Sequence, residues 1–366
     1  MNDMRGTGVT GAAPSAFEFT GTWREFLPIA ATNLLLTLVT LGFYRFWAKA
    51  RERRYLWSRT RFIDDHLEWT GSGKEMFIGF ILAFLILGTL GLLVFGLFIL
   101  LSNIGLGWVA VLLALGAYPV SFYVVGLARF RALRYRLSRT LWHGIRGGSE
   151  DQGFRYALTS AWMTLVGAMA FFLLPWSMIT LWNERWNAMS FGPHRFSAYG
   201  AAGPLLVRLL LSIGLGIGLI IVLALLAVAL PFDDLFSRTD PGRDGVTGVV
   251  LLLLLPLVLL IIFAVIPIFY YAAFVREGIN KLFLGDVDFG FSARTYHWLR
   301  LYAGDVLLVV GTLGLGIAFL GYRHWSFFVR HLEAYGEVDL DTLLQSETRA
   351  PRQGEGLLDA LDIGAL

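Results

Sequence analysis

Ionisable and amide side chains inside apolar segments are the residues most able to do chemistry in this chain, because a charge at bilayer depth is costly and is kept chiefly where it works. Asp305 lies a turn into one apolar stretch, Arg208 at the start of another and Asn33 within a third. Such groups could line a path or bind a lipid headgroup. The simpler reading puts Asp305 and Arg208 at the membrane interface and lets Asn33 hydrogen-bond a helix break. Reaction chemistry is harder to find. His66, His143, His194, His297, His324 and His331 sit in or beside basic joints, and none forms a His-Glu-x-x-His helix. Gly71-Ser72-Gly73-Lys74 lacks the spacing of a phosphate loop and reads as a helix N-cap after a hairpin. The absence of cysteine excludes a disulfide framework, a thiolate metal site and a Cys nucleophile. With no nucleophile–base pair, metal motif or cofactor loop, the expectation is a non-enzyme without a cofactor.

The elements that must carry these residues are those of a membrane protein. Of 366 residues, 56% are hydrophobic and only 16% charged, against about 45–50% and about 25% in an ordinary soluble domain. The mean hydropathy is +0.64. Seven uncharged stretches approach or exceed the ~20 residues needed to cross about 30 Å of hydrocarbon. They are Phe26–Tyr44, Phe77–Leu101, Ile104–Ala128, Tyr156–Asn183, Leu209–Phe232, Gly245–Val275 and Val306–Tyr322. The leader, residues 1–16, lacks the apolar core of a cleavable signal. It and the tail, residues 346–366, are expected to be disordered, leaving one membrane domain over residues 17–343.

Seven stretches need not be seven crossings. Basic residues crowd the joint after the first stretch (Arg45 to Lys74) and the joint after the third (Arg129 to Arg155). The Ser102–Asn103 joint is uncharged, and Pro231–Asp244 sets Arg238 and Arg243 against Asp233, Asp234, Asp240 and Asp244. The positive-inside rule makes the basic joints cytoplasmic. Seven crossings would put the acidic loop inside and the basic joint with Lys281 and Arg294 outside. The rule is satisfied if the first, fourth and seventh stretches enter and leave on one side. The expected fold is therefore mainly α, a polytopic membrane protein with four full transmembrane helices plus three re-entrant or half-inserted helical segments, both termini cytoplasmic. Seven transmembrane helices are the alternative. Breaks at Thr40-Leu41-Gly42, Leu174-Pro175-Trp176 and Thr312-Leu313-Gly314 suit the first arrangement, and are expected to face other helices.

The joints carry a pattern of their own. Arg54-Tyr55-Leu56-Trp57-Ser58-Arg59-Thr60 recurs as Arg134-Tyr135-Arg136-Leu137-Ser138-Arg139-Thr140, an internal repeat. Turn residues followed by alternating aromatics predict hairpins near 59–75, 138–154, 190–203, 283–297 and 335–343. Lone hairpins are marginal in water, so these should join into a small cytoplasmic sheet, with Phe17–Thr20 paired to Val338–Leu343. Between break and hairpin, Phe43, Phe46, Trp47, Ala50 and Trp57 share about a third of a helix circumference. An interfacial helix is expected there. Arg45, Trp47, Lys49, Arg51, Arg54 and Trp57, with Arg134 and Arg139 in the second joint, become candidate contacts to anionic lipid headgroups. These joints account for the net charge of +3 without nucleic acid. Gly214-Leu215-Gly216-Ile217-Gly218 reads as helix packing.

The run from Asn33 through Thr40-Leu41-Gly42 and Trp47-Ala48-Lys49 to Arg54-Tyr55 resembles the signature of the YjgN-type bacterial inner-membrane family, a family of unknown function. Thr312-Leu313-Gly314 followed by Tyr322-Arg323-His324-Trp325 resembles a second occurrence that lacks the Trp-Ala-Lys. The resemblance implies a multi-pass protein of a bacterial inner membrane. It brings no activity and no catalytic residues, only an association with membrane metallopeptidases. Two functions are then expected. The first is a transporter or channel for a small solute or lipid, with Asn33, Thr40, Gly42, Pro175, Arg208, Asp305, Thr312 and Gly314 at helix breaks or along the path. The alternative is a non-enzymatic scaffold that contacts anionic lipid and a membrane-associated partner such as a metallopeptidase.

Overall fold

The computed structural model describes residues 16–229, 259, 264–336, 344–346 and 348. The chain is mostly helical, and its helices fall into two kinds. Where an apolar run has no internal break, one helix continues through it. Helices α3 (Gly73–Asn103) and α4 (Gly107–Arg139) form an antiparallel pair. Their far ends are joined by a turn in which Gly105 takes φ +81°, and near the other end Arg139 pairs with Glu75 at 3.1 Å. Ser72 caps α3 by accepting the Glu75 amide, as the Gly-Ser-Gly-Lys spacing implied. Helix α7 (Ala202–Ala229) is the third of this kind. Among the described residues these three are long and apolar enough to cross a membrane. A further helix, described over residues 264–280 (α8), runs antiparallel to α7. The Ala201 amide donates to Glu277, and a Cβ at Gly216 would lie 3.1 Å from Ile266. Among the described residues, Gly216 is thus the one glycine of 214, 216 and 218 with a close neighbour.

Around the first, fourth and seventh apolar stretches the chain folds as two helices that double back. Helix α1 (Trp23–Val39) turns into α2 (Arg45–Ser58), and Asn33 donates to the Ala48 carbonyl while Tyr55 Oη donates to that of Thr22. Helix α5 (Phe154–Met169) passes through a 3-10 turn, Phe171–Leu173, into α6 (Leu174–Asn187), and Thr159 donates to Glu184. Helix α9 (Thr295–Gly311) passes through the 3-10 segment Leu315–Phe319 into α10 (Leu320–His331), with Asp305 facing Arg323. Two breaks fall where the sequence placed them. The middle one instead comes at Ala170, and Pro175 sits in the first turn of α6. There its missing N–H costs nothing, so the proline starts a helix and does not interrupt one.

Short strands join the helices. They are β1 (Phe17–Phe19), β2 (Thr60–Phe62), β3 (Asp65–His66), β4 (Glu68–Trp69), β5 (Thr140–Trp142), β6 (Ile145–Gly148), β7 (Ser190–Phe191), β8 (His194–Ala198), β9 (Leu282–Leu284), β10 (Val287–Phe291) and β11 (Leu332–Tyr335). Each hairpin turns on residues of positive φ: Ile63, His143 with Gly144, Gly192 and Gly285. All ladders are antiparallel, in the order β1-β2-β3 and β4 through β11, and the Leu67 amide bridges the two groups by donating to Thr60. Because β1 lies against β11, the sheet curls back toward its own start. Rings fill the curl: Phe17 stacks on Phe62 at 4.4 Å and meets Phe289 at 6.4 Å, and Phe289 meets Phe196. The ladder of β1 is made with β2, in the register Phe17↔Phe62. The expected pairing of Phe17–Thr20 with Val338–Leu343 lies outside the described residues.

Candidate functional site

The two Thr-Leu-Gly turns are the same structure. Thr40 donates to Leu36 O and accepts the Tyr44 amide at 2.9 Å; Thr312 donates to Leu308 O and accepts the Gly316 amide at 2.6 Å. The amides of Gly42 and Gly314 reach back five residues, to Thr37 and Val309. Every amide from Thr40 to Arg45 has an acceptor, and so has every amide from Thr312 to Ile317, with the same partners by position. Leu41 and Leu313 are held at φ +50° and +52°, and the glycines at +91° and +93°. A leucine in that region costs roughly 1–2 kcal/mol, so the turn is selected against that cost. Its use is visible in exposure: Leu41 is 90% and Leu313 94% exposed, and Met169 at the middle tip is 88% exposed. The sequence expectation that the breaks face other helices therefore fails at these tips. Hydrocarbon supplies no hydrogen bonds, and a turn that satisfies its own amides can stand in it bare.

Seven residues before each of these threonines lies a buried polar side chain, Asn33 in α1 and Asp305 in α9. Asn33 donates to Ala48 O across its hairpin at 3.1 Å. Asp305 accepts Arg323 Nε at 2.6 Å and lies 2.7 Å from His324 Nε2. No motif in the sequence marks Arg323 and His324 as partners of Asp305, although a hairpin folded about Thr312-Leu313-Gly314 brings them opposite it. Arg208 is elsewhere, exposed on α7, where it shares a shallow, open cavity of about 490 Å³ with Arg276, Arg294, Ser292, Thr295 and Tyr296.

The interfacial candidates divide. Arg45, Trp47, Arg51 and Arg54 are exposed, and Arg51 donates to Thr32. Lys49 pairs with Glu52, and Arg139 with Glu75. Trp57 and Arg134 are only 4% and 2% exposed, which places them inside the protein and not against lipid. Trp57 stacks on Trp325 at 4.0 Å and donates to Thr140, while Arg134 donates to Asp151 O. Part of the apolar face of α2 is covered by protein, since Phe46 packs on Phe77 and Phe80 of α3, while Trp47 stays exposed. Helical periodicity shows that a face is apolar, not whether lipid or protein covers it.

Outside the helices, His143 on the β5–β6 turn lies 3.0 Å from Asp64 and 3.7 Å from Asp65 on the neighbouring turn. The hydrogen bond to His143 holds the Asp64 carboxyl below its ordinary value. A second group that the sequence did not single out is Arg185 on α6. It is 5% exposed, its guanidinium lies 5.7 Å from the Trp182 ring, and among the described residues its Nε has no hydrogen-bond partner.

Long apolar helices, half-length helical hairpins with apolar tips and a curled sheet at their feet define a membrane protein. The model of a bacterial protein family of unknown function, DUF898, matches residues 14–360, and the chain belongs to that family. A curated relative is the inner membrane protein YjgN of Salmonella typhimurium, 23% identical over an alignment of 388 residues that covers 93% of each chain. Neither description names an enzymatic activity. No solved structure matches.

Proposed function

We propose that the chain is a non-enzymatic scaffold of a bacterial inner membrane that loads one leaflet with three half-depth helical hairpins. In this reading α3, α4, α7 and α8 cross the bilayer. The hairpins α1–α2, α5–α6 and α9–α10 dip into the leaflet on the side of the sheet, and the basic joints make that side cytoplasmic. The observation that carries it is the exposure of all three tips: Leu41, Met169 and Leu313 reach outward as apolar side chains. Broken helices that form a transport site converge on a shared protein-lined cavity; these tips point into the surroundings. Three wedges in one leaflet favour membrane curved toward the opposite leaflet and gather lipid around the sheet. The transport reading keeps one observation in its favour, the matched burial of Asn33 and Asp305.

Reconstitution separates the two. The protein should be enriched on strongly curved vesicles over flat bilayers of the same lipid, and replacement of Leu41, Met169 and Leu313 by Ser should abolish the preference. Solute flux or lipid scrambling above the protein-free rate, lost on Asp305→Asn but kept by the Ser tips, would replace the scaffold with a transporter. Because the chain has no cysteine, single labels at Ser102, Ser190 and Ser292 report sidedness: the first should react from outside, the other two from inside. Ser237, the partner label for the second external loop, lies outside the described residues.

A further inference from the structure

We infer that the cavity shared by Arg208, Arg276 and Arg294 is a binding site for a phosphate-bearing anion, a lipid headgroup in the first instance. The three cations come from three different elements. Arg208 stands on α7, Arg276 near the end of α8, and Arg294 is the N-cap residue of α9. Among the described residues none of the three has a carboxylate partner or a side-chain hydrogen bond. The acid nearest in sequence, Glu277, is taken by the Ala201 amide. Three like charges brought to one cavity repel each other, and an arrangement of this kind is relieved by an anion. The other lining groups suit the same ligand. Thr295 and Tyr296 bring hydroxyls and open the first turn of α9, whose amides carry partial positive charge.

What lies beside the cavity favours a lipid over a soluble phosphate. Along α7 beyond Arg208, Leu211 and Leu215 lie three and seven residues on, so on the same helical face, and both are exposed, an apolar surface for acyl chains above a cationic floor. Ser292 and Phe291 belong to the sheet side, so the cavity sits where the apolar belt meets the sheet. That is headgroup depth for the leaflet nearest the sheet. The site rests on the proposed function only for the bilayer crossing of α7 and α8, and it needs no curvature.

The test uses the full chain in detergent, with bound lipid read by native mass spectrometry. Phosphatidylglycerol should be retained in preference to phosphatidylcholine. Arg208→Gln, Arg276→Gln and Arg294→Gln together should lower that preference by on the order of tenfold or more. Arg59→Gln, Arg61→Gln and Arg195→Gln, which remove the same formal charge from surface ion pairs with Glu25, Glu18 and Glu150, should leave it unchanged. If the triple variant fails to fold, single Lys substitutions are read: they keep the charge but lose the bidentate fork, and should weaken retention in part. A second arm adds inorganic phosphate. If phosphate displaces the lipid, or protects the Arg276 region from hydrogen exchange as well as the lipid does, the site is for the free anion. Undiminished lipid preference in the triple Gln variant, or equal retention of phosphatidylcholine, would overturn the proposal.

Discussion

Thr40 and Thr312 hold two distant turns by the same pair of bonds, each donating to a carbonyl four residues back and accepting an amide four residues on. At Thr40→Val the shape is kept and both bonds are lost, leaving the Tyr44 amide unpaired near the tip. The variant should lose about 1–3 kcal/mol of stability, and more in a bilayer than in a detergent that admits water. Thr40→Ser should unfold close to wild type. Thermal unfolding in nanodiscs and in detergent checks both, and a Ser variant as weak as the Val variant would mean that the methyl group matters, not the hydroxyl.

Asp305 and Arg323 close the α9–α10 hairpin at 2.6 Å. Removing the cation with Arg323→Gln leaves a buried carboxylate with His324 alone. The cost should approach the ~3 kcal/mol of a broken buried pair, reduced because Arg323 is about one-third exposed. Adding Asp305→Asn should recover part of it. A double-mutant cycle measures the coupling, expected between about 0.5 and 3 kcal/mol; strict additivity would show the pair to be idle.

Arg185 is the opposite case, a buried cation with an aromatic ring beside it and no acid partner among the described residues. Arg185→Met should be neutral or stabilising, since well-packed apolar replacement of buried charge commonly gains about 1–4 kcal/mol. The melting temperature reads this directly, and a fall as large as that of Arg323→Gln would point to a partner for Arg185.

The Asp64–His143 link between neighbouring hairpin turns should respond to acid. With its carboxyl held below the ordinary value by His143, Asp64 contributes stability that is fully present above the usual Asp range near ~3.9. That contribution is lost as pH falls through its lower folded value. The melting-temperature difference between wild type and Asp64→Asn should therefore close on acidification. A difference that persists undiminished at the lowest pH reached would show that the link does not depend on the charge.

Hydropathy and turn chemistry made much of this legible. Uninterrupted apolar runs became single helices such as α3, and Gly285-Asp286 and Gly192-Pro193 marked hairpin turns where they occur. Thr40-Leu41-Gly42 showed a break because Gly can take the positive φ the turn requires. What the sequence did not disclose is which surface covers which face. Trp57 and Trp47 share one helical stripe, yet one is stacked under Trp325 and the other is exposed. The three-arginine cavity was also hidden, because Arg208, Arg276 and Arg294 are brought together only by the packing of α7, α8 and α9.

The curl of the sheet sets an order of assembly. Tyr322 reaches the Gly21 carbonyl across 301 positions of chain, and Trp325 reaches Thr60 across 265. Until α10 has been synthesised, the first hairpin lacks these neighbours, and β1 has no β11 beside it. A nascent chain must therefore hold an open strand edge at the membrane surface through most of its translation, the state in which strands pair with the wrong partner. The last hairpin acts as the catch of a clasp, and a chain that stops short of it would leave the membrane helices in place with the collar beneath them unfastened.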